Sequence, residues 1–99
     1  MIRHVVLWKL HDANDAPRFK ALLDSCAALV PGMRQFEVGI RQDGLDANVD
    51  VVLVSLFADA AALDAYQSHP VHRAVSAQLG ALREARYVID HPTTIEGSP

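Results

Sequence analysis

Two strand-like segments of this chain carry apolar side chains on both faces, so both must lie in the middle of a sheet that is covered on each side. Residues 2–10 (IRHVVLWKL) and 49–58 (VDVVLVSLFA) are rich in β-branched and aromatic residues, as strands are. Successive side chains of a strand point to opposite faces, and both segments place apolar residues on each. Residues 34–42 (RQFEVGIRQ) instead alternate between apolar and polar, which is typical of a half-exposed edge strand.

The first helix is predicted between the first two strands. Asn14 or Asp15 can cap its start, Pro17 follows, and the breaker Pro31-Gly32 ends it. Apolar residues recur at helical spacing along its length at Phe19, Leu22, Leu23, Cys26 and Val30.

Two more helices and a last strand complete the predicted fold. Asp59 caps a short helix through Tyr66, and Pro70 opens a helix over residues 71–82, before a strand at 85–91. The order β-α-β-β-α-α-β is the split βαβ arrangement of ferredoxin-like folds. We predict one α+β domain over residues 1–92 with an antiparallel four-stranded sheet, followed by a loose tail over residues 93–99. Its first and third strands are central.

Helices on one side of such a sheet leave its other face uncovered. That face would expose apolar side chains, namely Val5, Leu7, Val52, Val54 and Leu56. Soluble monomers rarely expose a patch of this kind, and each such side chain contributes about 1.5–3 kcal/mol when it is buried. The sequence therefore predicts a homodimer whose two sheets pack face to face as a dimeric α/β barrel.

Charge and composition argue against several classes of protein. The net charge is −3 and the pI about 5.9, whereas a nucleic-acid binder normally presents a basic face. RNA-recognition domains share the strand order but carry exposed aromatic residues in a basic setting. No uncharged stretch reaches the roughly 20 residues of a membrane helix, and no signal peptide is evident, so a cytoplasmic location is expected. Cys26 is the only cysteine, which excludes an intramolecular disulfide and a CxxC site.

Histidines are the main candidates for chemistry. His11 and His91 lie at strand ends and are expected to be surface residues. His4 instead shares a strand face with Val6 and Trp8, so its two ring nitrogens need partners. Either a structural histidine or a site residue fits that position.

The densest group of titratable side chains is the segment 66–72, YQSHPVH. His72 falls in the first turn of the third helix and borders its apolar stripe, and a helix N-terminus disfavours its protonated form. A neutral imidazole there can act as a base near pH 7, and Tyr66 can donate a hydrogen bond to a carbonyl or enolate oxygen. The alternatives are a core tyrosine with a satisfied hydroxyl and, for His69, a residue that caps the third helix.

Four segments in this order resemble the stress-responsive A/B barrel domain (Dabb) proteins, a dimeric α/β-barrel family. They are RHVVLWKL at 3–10, VPGM at 30–33, VDVVLVSLF at 49–57, and the motif Tyr66-x-x-His69-Pro70-x-His72. The resemblance spans nearly the whole chain and implies a ferredoxin-like protomer and a dimer. It extends to plant olivetolic acid cyclase, a polyketide cyclase, whose catalytic tyrosine and histidines correspond to Tyr66, His72 and His4. Val51 stands where that cyclase has a further histidine.

Three functional hypotheses follow. The first is a protein of unassigned activity that binds a small apolar or carbonyl-containing ligand between sheet and helices, with Trp8 and His69 as ligand-binding residues. The second is a cofactor-independent cyclase- or lyase-type enzyme. In it His72 is the base, Tyr66 stabilises an enolate by a hydrogen bond, and His4 orients the ligand. The third is a metal site of His4, His69 and His72. No cofactor is expected.

Overall fold

The structure, a computed structural model, describes residues 1–96 of the chain. Its elements are β1 (Ile2–Leu10), α1 (Ala16–Asp24), β2 (Met33–Ile40), β3 (Val51–Phe57), α2 (Ala60–Ser68), α3 (Pro70–Leu82) and β4 (Arg83–Pro92). The four strands form one antiparallel sheet in the order β2-β3-β1-β4. This confirms the predicted α+β ferredoxin-like fold, with β1 and β3 in the centre. Of the predicted tail, residues 97–99 lie outside the described part of the chain.

Local side-chain hydrogen bonds set the starts of α2 and α3 where the sequence predicts them. The carboxylate of Asp59 accepts a hydrogen bond from the backbone N–H of Ala62 at 2.8 Å. Nδ1 of His69 accepts from the N–H of Val71 at 3.1 Å, and Pro70 occupies the first turn of α3. Each bond satisfies one of the N–H groups that a helix start leaves without an internal partner.

The first helix begins where the sequence predicts but ends earlier than predicted. Asp15 is its N-cap residue, although the Asp15 side chain makes no capping hydrogen bond. A single 3-10 turn over Ala13–Asp15 precedes the helix, and the Asp12 carboxylate caps that turn. After Asp24 the chain tightens to turns, in which the hydroxyl of Ser25 donates to the carbonyl of Leu22 at 2.6 Å. Serine hydroxyls compete for helical carbonyls in this way, so the helix ends well before the proline–glycine pair.

The third strand also begins later than predicted, because Asp50 makes contacts of its own. Its backbone N–H donates to the carbonyl of Trp8, and its Oδ2 accepts from the N–H of Leu10, both at 2.8 Å. The carboxylate is buried, with Nζ of Lys9 at 3.4 Å. Asp50 thus ties the end of β1 to the loop before β3.

The sheet has two faces of different character. On the helix-covered face, alternate residues of β1 and β3 are buried with α1, α2 and α3 in one core, which includes Val6, Trp8, Phe19, Leu53, Phe57 and Tyr66. We call the opposite side the open face. Its partly or largely exposed apolar residues are Val5, Leu7, Val52, Val54, Tyr87 and Ile89, which form neighbouring cross-strand rows.

Leu56 departs from the predicted open-face patch, because it is fully buried. Arg3 and Gln35 are its cross-strand neighbours on either side, and Nη1 of Arg3 donates to Oε1 of Gln35 at 3.4 Å. The same guanidinium donates to the carbonyl of Ile95 at 2.7 Å. The Arg3 side chain therefore spans this end of the open face and joins it to the segment that follows β4.

No helix within residues 1–96 has the length and hydropathy to cross a membrane.

Candidate ligand cavity

A cavity of about 220 Å³ lies between the sheet and the helices. It receives side chains from β1, β3, β4, the α1 region and the α2–α3 pair. Its polar lining is His4, Tyr66, His72, Ser76, Arg83 and Arg86, and its apolar lining includes Val6, Trp8, Leu53 and Val75. The structure thus brings the three predicted catalytic residues to one space.

His4 is held by the neighbouring strand. The antiparallel register of β1 and β4 places Asp90 opposite it, and Nδ1 of His4 is hydrogen-bonded to Oδ1 of Asp90. When the ring is neutral, this bond fixes its proton on Nδ1 and leaves Nε2 as the acceptor. One ring nitrogen of His4 therefore has a structural partner, while the ring also lines the cavity.

Tyr66 lies in the last turns of α2 and is buried against the core. Its ring centroid lies 4.6 Å from that of His72 and 6.4 Å from that of His4, in edge-to-face arrangements. Burial raises the pKa of its phenol well above the ordinary value, so the hydroxyl keeps its proton. That hydroxyl has no hydrogen-bond partner among residues 1–96, which leaves it available as a donor to a ligand.

His72 occupies the first turn of α3 beside Tyr66. Burial lowers the pKa of its imidazole, the backbone carbonyl of Gln67 opposes this shift, and the positive charge of Arg86 is among the smaller causes that add to it. Burial, rather than the helix N-terminus that the sequence suggested, is therefore the main cause of the shift. Oγ of Ser76 lies 3.5 Å from Nδ1 of His72. The imidazole is neutral near pH 7 and can accept a proton.

Of the two predicted ligand-binding residues, only one lines the cavity. Trp8 lines the cavity, and its ring packs edge-to-face on Phe19 with centroids 5.1 Å apart. His69 is not part of the cavity lining, because its Nδ1 accepts the N–H of Val71 and caps α3. The alternative interpretation of His69 as a capping residue is therefore the one that the structure supports.

The three histidines proposed as metal ligands are not grouped. Within residues 1–96, no three side chains of His, Cys, Asp or Glu lie close enough together to hold a metal ion. His4 and His72 share the cavity, whereas His69 faces the start of α3.

Sequence reasoning missed three charged residues of the site, all on β4. Asp90 holds His4, while Arg83 and Arg86 line the cavity. Their cross-strand partners are His4 for Asp90, Trp8 for Arg86 and Leu10 for Arg83, all on the helix-covered face. Alternation along β4 together with an antiparallel register to β1 would have placed Asp90 and Arg86 there. Arg83 reaches the same face only because the register shifts between Lys9 and Leu10.

Comparison with known proteins gives one family and several relatives. A family model described as the stress responsive A/B barrel domain matches residues 2–93. An uncharacterized protein of Streptomyces coelicolor is 35% identical over 79 residues, covering 75% of this chain and 81% of its own.

Solved structures of similar proteins agree with the fold. A Dabb family protein from Mesorhizobium loti with a ferredoxin-like fold is 28% identical, with a TM-score of 0.76, covering 93% of this chain and 95% of its own. A dimeric ferredoxin-like protein of unknown function from Jannaschia is also 28% identical, with a TM-score of 0.75 and coverage of 93% and 98%.

Proposed function

Because the chain belongs to the stress-responsive A/B barrel domain family, whose model matches residues 2–93, we propose that its cavity binds a small apolar or carbonyl-containing ligand. The observation that supports this proposal is the joint presence of His4, Tyr66 and His72 around one space beside Trp8. Small-molecule sites combine apolar walls with convergent polar groups, and this cavity has both kinds of lining. The apolar wall receives the ligand body, and the polar groups orient it.

We further propose that the same site moves a proton at the carbon next to a ligand carbonyl. Neutral His72 accepts that proton, the electron pair of the broken C–H bond passes to the carbonyl oxygen, and the resulting enolate accepts a hydrogen bond from Tyr66. The imidazolium then returns a proton to carbon. Burial lowers the pKa of His72 and raises that of Tyr66, so each group starts in the protonation state that the step needs.

His4 has a positioning role in this scheme. Asp90 fixes the orientation of its ring, so Nε2 can accept a hydrogen bond from a ligand hydroxyl or enol. A ring held by a carboxylate loses less conformational freedom on binding than a free one. The proposed base and the proposed orienting group therefore come from different elements, α3 and β1.

Deuterium exchange tests both proposals in one experiment. Methyl levulinate, a neutral ketone, is incubated with the full chain in heavy water, and NMR follows loss of the protons beside the ketone while amide shifts report binding. We expect exchange faster than in buffer, reduced about 10²–10⁴-fold by His72→Gln and about 10²–10³-fold by Tyr66→Phe. The matched control is His11→Gln, because His11 is exposed and lies outside the cavity.

The outcomes separate binding from catalysis. If amide shifts map to the cavity but proton exchange is no faster than in buffer, the proton-transfer step is overturned and the protein only binds the ligand. Absence of both shifts and exchange across a panel of small ketones and aromatic compounds overturns the ligand proposal as well.

We also propose that the open face packs against the open face of a second copy to give a homodimer. Val5, Leu7 and Val54 lie at the centre of that face, and the similar Jannaschia protein is described as dimeric. Tyr87 and Ile89 add the largest exposed areas, at 56% and 61%. Covering these side chains stabilises the protein by removing apolar surface from water. Sedimentation at micromolar concentration is expected to give a dimer, and a monomer under those conditions overturns the proposal.

A further inference from the structure

We infer that the cavity selects ligands that carry a carboxylate, which Arg83 and Arg86 bind at the β4 side of the site. This inference rests on the proposed ligand-binding function and specifies its ligand class. Arg86 lies opposite Trp8, and Arg83 opposite Leu10, so both side chains project to the helix-covered face. Both line the cavity that contains Tyr66.

The two guanidiniums lack a partner within the described part of the chain. Arg34 and Arg41 each lie within 4.0 Å of a carboxylate oxygen, whereas no ion pair within residues 1–96 includes Arg83 or Arg86. The nearest acidic group on the same strand face, Asp90, already bonds His4 through Oδ1. Each guanidinium offers up to five N–H donors in a planar fork.

The two guanidiniums carry like charges beside the same cavity. Arg86 is an exposed residue and Arg83 is half-buried, so water screens part of their repulsion. Burial is the largest cause that lowers the pKa of Arg86, the charge of Arg83 adds to it, and Asp90 opposes it. An anion bound between the two guanidiniums would offset the repulsion that remains. Neither side chain ties two elements together through an ion pair within residues 1–96.

The chemistry of the lining narrows the anion to a carboxylate on an apolar body. Arginine forks match the planar geometry of a carboxylate and bind it through two parallel N–H···O bonds. Val6, Trp8 and Leu53 offer apolar surface in the same cavity, and its volume of about 220 Å³ suits a short or monocyclic compound. A keto acid fits all parts: its carboxylate at the arginines and its carbonyl at Tyr66 and His72.

A matched pair of probes tests this inference. Levulinate and methyl levulinate share the ketone and differ in the charged end, and their dissociation constants are measured by NMR titration of the full chain at one pH and ionic strength. We expect levulinate to bind about tenfold or more tightly, since a charge-assisted pair contributes about one factor of ten or more. The preference weakens at high salt.

Variants assign the preference to the two arginines. We expect Arg86→Gln and Arg83→Gln to remove most of the preference for levulinate, and Arg86→Lys to retain part of it, because lysine keeps the charge but loses the fork. Arg73→Gln is the matched control, since Arg73 is exposed on α3 and is not part of the cavity lining. Thermal melts identify any variant that fails to fold, in which case the lysine variant and the salt dependence carry the test.

The outcomes distinguish this inference from the proposed function. Equal affinity for the two probes, or a preference that survives both glutamine variants, overturns the arginine assignment, even if methyl levulinate still exchanges its protons. A preference for levulinate that depends on the arginines supports the inference even if no exchange occurs, and the proton-transfer proposal then fails alone. Inorganic phosphate that binds as tightly as levulinate overturns the choice of carboxylate.

Discussion

The helix-covered face and the open face of the sheet are both apolar at their centres, but the chain's own helices cover only one of them. Val6 and Trp8 are buried beneath the helices, whereas their neighbours Val5 and Leu7 remain partly exposed. The covered face also encloses polar groups around a cavity, while Arg3 lies at one end of the open face. Polar groups on the covered face therefore point to ligand chemistry, and those on the open face limit the area left for a partner.

The largest effect on stability is expected from a large-to-small substitution in the core beneath the helices. Phe19→Ala removes a fully buried ring that packs on Trp8, which should lower the free energy of unfolding by about 3–5 kcal/mol. Urea denaturation measures the loss, which should not depend on protein concentration. Tyr87→Ala is the comparison on the open face, where the ring is 56% exposed, and should weaken association more than protomer folding. Equal losses from both variants at all concentrations would contradict the distinction between the faces.

A charge at the centre of the open face should separate the copies. Val5→Asp places a carboxylate between Val54 and Ile89, its cross-strand neighbours, where a partner sheet would bury it. Burial of an unpaired charge costs several kcal/mol, so the dissociation constant of the dimer should rise at least about 100-fold. Sedimentation velocity across a concentration series measures this change in the dissociation constant. Gln78→Asp, at an exposed position of α3, is the control, and a Val5→Asp variant that stays fully dimeric argues against this interface.

A smaller effect is expected within the covered face from Asp90→Asn. The variant removes the carboxylate that holds His4, but Asp90 is partly exposed, so we expect a stability loss of about 1 kcal/mol. The rate of proton exchange on methyl levulinate should fall by a larger factor than the loss of stability accounts for, because the tautomer of His4 is no longer fixed. Asp64→Asn, on the exposed side of α2, provides the matched change. An unchanged exchange rate would remove His4 from the proposed site.

The smallest effect is the pH dependence that His72 contributes. Its folded pKa is lowered, so the unfolded chain takes up a proton more readily than the folded chain does. This contribution to stability is complete above the ordinary histidine pKa of about 6.5 and is lost as the pH falls towards the folded pKa. The free energy of unfolding, plotted against pH, should have a shallower slope in His72→Gln than in the original chain. The His11→Gln variant should keep the original slope.

The fold was predictable because its main signals are local and agree with each other. Apolar residues on both faces of two strands determine which strands are central, and Asp59 and Pro70 mark helix starts by their own backbone chemistry. The end of α1 was not predictable from its apolar stripe, since Cys26 is buried whether it lies in a helix or in a turn. Periodicity reports burial, whereas a helix end depends on hydrogen bonds such as that of Ser25.

The candidate site was predictable only in part. Tyr66 and His72 are close in sequence, near the end of α2 and the start of α3, so the short connection between the two helices keeps them together. The partners on β4 depend on strand register, which aligns Asp90 with His4 across 86 residues of sequence. Arg83 and Arg86 sit in a segment rich in charges, and only the three-dimensional structure shows that both line the cavity.

The guanidinium of Arg3 has a consequence for how two copies can align. Because it lies across one end of the open face, the proposed contact with a second sheet is confined to the remaining area around Val5 and Leu7. In a two-fold assembly each patch meets itself, so the symmetry axis must pass through that area and away from Arg3. In the proposed homodimer, the contact between Arg3 and the carbonyl of Ile95 would limit how far one sheet can slide along the other.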